Sequence, residues 1–246
     1  MFLRKYPLNG NQPIVTITTL FYAAISAASC ATLTGEDLAA LLRDIPRHNS
    51  FRYISAGTLP EAYFQTAWET MEDPYIYIVL SDTKTPASKV ISFFTRDAYN
   101  HVSLSFDAAL ETMVSYNGGN GRNSPGLNRE TAGDLCGRPG AGMAVFRLYA
   151  GAGKKSLILD RIKRINEEGS SYNRLGLVFK SSVKPNIMFC SQFVYAMLEL
   201  AGLDYFDKPG GKVKPADFIE AEGARSLVWA YGYSFDIGPG IALKGR

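Results

Sequence analysis

Residues 186–202 read NIMFCSQFVYAMLELAG, an apolar, extended-type lead-in followed by a cysteine and then by apolar residues at helical spacing. Phe193, Val194, Met197, Leu198 and Ala201 fall at i, i+3 and i+4, the stripe of a helix that buries one face, and Gly202 suits a left-handed cap at its C-terminal end. Cys190 therefore sits in the first turn. Unpaired backbone N–H groups and the positive end of the helix dipole gather there; they favour a thiolate and offer donors to an oxyanion. The same position also suits a thiol packed as a small apolar group, so the helix alone does not choose a nucleophile.

A thiol nucleophile needs a base, and the base needs a group to orient it. The chain has two histidines, His48 and His101. His48 follows Pro46 and Arg47 in a polar stretch and reads as a surface residue. His101 opens the segment 100–119, NHVSLSFDAALETMVSYNGG, whose alternation around a short loop at Asp107 to Ala109 reads as a β-hairpin. Val102, Leu104 and Phe106 share one face, and His101, Ser103 and Ser105 share the other. A three-residue loop places Ser115 directly opposite His101, within reach of the ring; a two-residue loop places Tyr116 there, and Glu111 lies farther along the first ladder.

Around this pair the chain reads as alternating helices and strands. LPEAYFQTAWETM (59–71) is a helix with Pro60 near its first position, PYIYIVLSD (74–82) a strand, and PASKVISFFTR (86–96) a helix. Residues 117–142 hold eight glycines and two prolines without periodicity and read as a long loop beside the site, with no P-loop lysine to make NGGNGRNSPG a phosphate cradle. GMAVFRLYA (142–150) is a strand and KKSLILDRIKRINEEG (154–169) a helix. Asp217 in KPADF reads as a helix cap, Gln192 as a solvated helix side chain, and Tyr99, Tyr172 and Tyr195 as core residues close to a pocket.

Composition bounds the rest. With 246 residues and 46% hydrophobic residues the chain can bury a sizeable core. A formal net charge of +3 without a basic block points away from nucleic acid and from strong membrane-surface binding. Cys30, Cys136 and Cys190 are spaced for neither a disulfide framework nor a zinc site, so reduced thiols are expected and no metal or cofactor is implied. The first thirty residues have the order of a secretory or lipoprotein signal, but polar residues at 9–12 and threonines and serines in the apolar run fit a strand and helix of a folded domain better. The run is too short for a spanning helix, so no integral membrane segment is expected and a cytoplasmic location is favoured over a secreted one.

The order of YIYIVLSDTKTPASKVISFFTR, YNHVSLSFD, FCSQFVYAMLELAGLD and KPGGKVKPADF resembles the YiiX-like family of circularly permuted papain-fold proteins, relatives of NlpC-type cell-wall peptidases and of lecithin retinol acyltransferase. The resemblance spans about residues 75–220. It implies an α+β fold with an antiparallel sheet or partial barrel packed against helices, residues 71–246 forming the catalytic domain and residues 1–70 a helical elaboration on it. It also implies that His101 and Cys190 are the base and nucleophile of a thiol hydrolase, an order that reverses papain's. The family's third polar residue, often a glutamate on the strand after the histidine, matches Ser115. The implied partner is a peptide or acyl-containing small molecule. A non-catalytic peptide- or lipid-binding module on the same fold, or a lipid acyltransferase, is the alternative.

Overall fold

The computed structural model describes Glu36, Ala39 and residues 48–85, 99–119, 123–173, 184–221 and 226–234. The helix expected over 86–96, the signal-like first thirty residues and, with them, Cys30 lie outside them. The described residues form a mixed α+β structure, an antiparallel sheet packed against helices.

The sheet has six strands: β1 (Tyr75–Asp82), β2 (His101–Ser105), β3 (Val114–Asn117), β4 (Gly126–Arg129), β5 (Gly142–Tyr149) and β8 (Val228–Ser234). Their order is β4-β3-β2-β1-β5-β8, antiparallel at each pairing, with β4 and β8 at the edges. A short parallel pair, β6 (Ser171–Tyr172) and β7 (Ile187–Met188), stands apart from it. The helices are α1 (Glu61–Glu69), α2 (Ala132–Cys136), α3 (Gly151–Glu168), α4 (Cys190–Leu200) and α5 (Asp217–Glu220).

The apolar run YIYIVL in β1 has no polar alternation because both faces of the sheet are covered. Ile76, Ile78 and Leu80 enter the main core with Val102, Leu104, Val114 and Tyr116 from the sheet and Ile158, Ile162, Phe193 and Leu198 from α3 and α4. Tyr77 and Val79 point the other way, into a smaller cluster with Leu110, Met113, Leu135, Met143 and Val145. Leu59, Tyr63, Phe64 and Ala67 belong to the main core, so the segment around α1 is packed into the same interior as the sheet.

Two local readings are corrected. The stretch 117–142 is not one loop: it contains β4, paired to β3, and α2, whose start is a capping box between Thr131 and Asp134. The turn after β2 spans residues 106–113 rather than three residues, because Asp107 closes it. Its carboxylate accepts from Glu111 N (3.0 Å), Thr112 N (2.9 Å) and the Thr112 hydroxyl, and Leu110 takes a positive φ of 62°.

Candidate active site

α4 begins at Cys190, and its first intrahelical bond runs from Phe193 N to Phe189 O at 3.0 Å. Phe189 at the N-cap supplies no side-chain acceptor, so no cap competes for the N–H groups of Cys190 and Ser191. The helix is fixed by its buried stripe, by Phe193 against Tyr116 of β3 (ring centroids 5.1 Å apart), and by Ser191 Oγ donating to Val213 O at 2.6 Å. Gly202 adopts the expected left-handed conformation, with φ 58°. Cys190 is 3% exposed.

His101 opens β2 on the face opposite Val102 and Leu104, as the alternation requires. Its Nε2 lies 3.0 Å from each carboxylate oxygen of Glu130. The Cys190 sulfur is the other group that acts on this ring and favours its charged form, and with Nε2 on the carboxylate, Nδ1 is the ring atom left for the thiol. The histidine and cysteine that stand 89 positions apart in the chain therefore meet at one end of the sheet.

Glu130 comes from an unexpected place. It follows β4 directly and extends that strand's ladder by one bond, Glu130 N donating to Met113 O at 2.9 Å. This puts its side chain on the same face as His101. Ser103 Oγ donates to Oε2 at 2.5 Å and Asn117 Nδ2 to Oε1 at 2.7 Å, so the carboxylate is held by three groups while only 4% exposed. Burial alone drives His101 toward its neutral form, but the Glu130 carboxylate and the Cys190 sulfur outweigh burial and hold the imidazole pKa well above its ordinary 6.5. Burial likewise pushes Glu130 up, and the ring with the two donors more than reverses it, leaving the carboxyl below its ordinary 4.5.

Ser115 does not meet the ring. Its hydroxyl donates to Val102 O at 2.7 Å, and the contact expected of it is made by Glu130. The reason is register: β2 and β3 pair Leu104 with Val114, two residues beyond the three-residue-loop expectation. A shift of two keeps every side chain on its face but moves each along the ladder. Counted from that pair, Asn117 stands across from His101 and Ser115 across from Ser103.

The remaining candidates separate. Asp217 is the first residue of α5; its carboxylate accepts from Lys214 N at 2.7 Å and pairs with Lys208 Nζ at 2.6 Å, the cap role expected. Tyr195 is buried, with its hydroxyl on Phe206 O at 3.1 Å. Gln192 Oε1 is buried rather than solvated. His48 is half-buried, not superficial, with its ring edge against Tyr172 at 5.9 Å. Cys136 ends α2 as a half-buried free thiol. Among the described residues no helix is long and apolar enough to cross a membrane.

Comparisons with family models, with curated proteins and with solved structures return no match to this chain.

Proposed function

We propose that the chain is a thiol hydrolase of the permuted papain type, similar to the YiiX-like proteins, acting on an amide or ester of a peptide or other acyl-containing molecule. The reading rests above all on the imidazole of His101, held between the Cys190 thiol and the Glu130 carboxylate in a buried setting. A carboxylate that raises the ring's pKa favours the imidazolium, and the imidazolium favours a thiolate beside it.

In this mechanism the Cys190 thiolate attacks the carbonyl carbon while the first-turn N–H groups of α4 hold the developing oxyanion. The bond to the leaving group breaks, and that group takes the proton from Nδ1 of His101. Water then attacks the thioester, His101 receives its proton, and the C–S bond breaks to restore the thiolate–imidazolium pair. Glu130 keeps Nε2–H in place throughout and stabilises the charged ring. Serine in that position would orient the ring without a full opposing charge; the glutamate supplies both.

Alkylation with iodoacetamide tests the reading, with Cys136 as an internal standard. An ordinary thiol of pKa near 8.5 is about 1% thiolate at pH 6.5, and burial pushes the Cys136 thiol up from its ordinary value, so it is still less ionised there. Cys190 is expected to react at least about tenfold faster than Cys136 at that pH, and His101→Ala to remove the advantage. Equal pH profiles for the two thiols in the unaltered protein would overturn the proposal.

A further inference from the structure

The β1–β2 register pairs Ser81 directly with His101. Alternation along β1, with Ile76, Ile78 and Leu80 in the main core and Tyr77 and Val79 in the smaller cluster, puts Ser81 on the same face as the imidazole. Ser81 is 0% exposed, and among the described residues its Oγ has no hydrogen-bond partner. The other hydroxyls of this polar layer are satisfied: Ser103 by Glu130, Ser105 by Asp107 and Ser115 by Val102. A buried polar group without a partner calls for an explanation, and this one flanks the candidate base on the side away from Glu130.

Acylation of Cys190 would change the balance beside the ring. With the Nδ1 proton passed to the leaving group, the neutral ring of His101 is a bare acceptor beside a thioester that has no hydrogen to give, so Nδ1 would lack a partner just as Ser81 Oγ does. Directly opposed residues on neighbouring strands have Cβ atoms about 4.5–5.5 Å apart. One water molecule with hydrogen bonds near 2.8 Å spans about that distance between two polar atoms.

We propose that Ser81 is a positioning residue for the hydrolytic water of the acyl-enzyme, an inference that rests on the thiol-hydrolase reading above. The water donates one hydrogen to Nδ1 and the other to Ser81 Oγ, which turns its oxygen lone pair toward the thioester carbon. Its oxygen bonds to that carbon, its proton passes to Nδ1, the C–S bond breaks, and the acid leaves with the thiolate and imidazolium restored. Ser81 takes no part in acylation, since in that step Nδ1 gives its proton to the leaving group and no water is needed.

The test uses p-nitrophenyl acetate and the full chain. The unaltered protein is expected to release a burst of p-nitrophenolate, one per chain, followed by slower turnover. Ser81→Ala should keep the burst rate and amplitude, slow the steady phase about tenfold or more, and accumulate acetyl-Cys190 by intact mass. Ser81→Thr, which retains a hydroxyl, should restore turnover, whereas a purely structural serine would leave the ratio of burst to steady rate unchanged. Ser81→Ala should also melt no lower than the unaltered chain, because the hydroxyl it removes is unpaired. Steady turnover in Ser81→Ala equal to that of the unaltered protein overturns the role of Ser81 and leaves the thiol hydrolase standing. Absence of a Cys190-dependent burst in the unaltered protein overturns both.

Discussion

Replacing Glu130 with Ala is expected to lower stability by about 3–5 kcal/mol at pH 5.5, the cost of removing one partner from a buried, hydrogen-bonded ion pair. The substitution strands His101, and it also takes the acceptor from Ser103 Oγ and Asn117 Nδ2. Glu130→Gln keeps the shape and one acceptor oxygen, and should lose less. The pH dependence separates the charge from the packing. His101 has a folded pKa above 6.5, so its contribution is complete below 6.5 and is lost as pH rises through the folded value. Glu130 has a folded pKa below 4.5, so its contribution is present above 4.5 and is lost as pH falls through the folded value. The difference between the unaltered protein and Glu130→Gln should therefore be largest between pH 4.5 and 6.5, and should shrink above that window. Urea denaturation of both proteins across that range checks it; a pH-independent difference would mean that the pair is not ionised in the fold.

Lys155→Ala is expected to destabilise the protein by about 3 kcal/mol, since it empties the volume of a fully buried side chain and leaves the buried Phe106 carbonyl without its donor, while the half-buried carbonyls of Thr70 and Asp73 each lose one. Lys155 is fully buried, yet its ammonium is satisfied: Nζ donates to Thr70 O (2.8 Å), Asp73 O (2.7 Å) and Phe106 O (2.8 Å). Burial pulls its pKa below the usual lysine value, opposed by the charges of Asp73 and Asp107. The side chain ties α3 to the turn before β1 and to the residue that follows β2. Because Phe106 leads into the turn that sets the β2–β3 register, Lys155→Met, which fills the volume without the donors, should also destabilise. A melting curve for Lys155→Met matching that of the unaltered protein would show that water replaces the ammonium at no cost.

Much of this arrangement can be read from residue patterns, and the parts that cannot have identifiable causes. The helix after Cys190 is legible because its apolar stripe and Gly202 are both local signals. β1 is legible because a strand buried on both faces is a continuous apolar run. Periodicity places His101, Ser103 and Ser105 on one face, but it does not measure the turn that follows. That turn is long because one carboxylate, Asp107, bonds Glu111 and Thr112, an interaction that no hydrophobic pattern records. Glu130 is hidden for a related reason. β4 has four residues, one of them a glycine, and exists only through its pairing with β3, so the glycine content of 117–142 masks it. One signal was there: Thr131-Ala-Gly-Asp134 has the spacing of a capping box, and a helix starting there ends whatever precedes it at Glu130. The polar layer around His101 is buried at every position of β2, which also removes the usual link between a polar residue and solvent.

The central claim is that Cys190 and Glu130 act together on one imidazole and favour its charged form, and the titration of that ring tests it most directly. With only His48 and His101 in the chain, two-dimensional NMR of imidazole resonances, assigned through His48→Gln, follows His101 alone. The account predicts a His101 pKa well above 6.5 that falls in Glu130→Gln and falls separately in Cys190→Ala. A His101 titrating at or below 6.5, or one indifferent to the loss of Cys190, would contradict it.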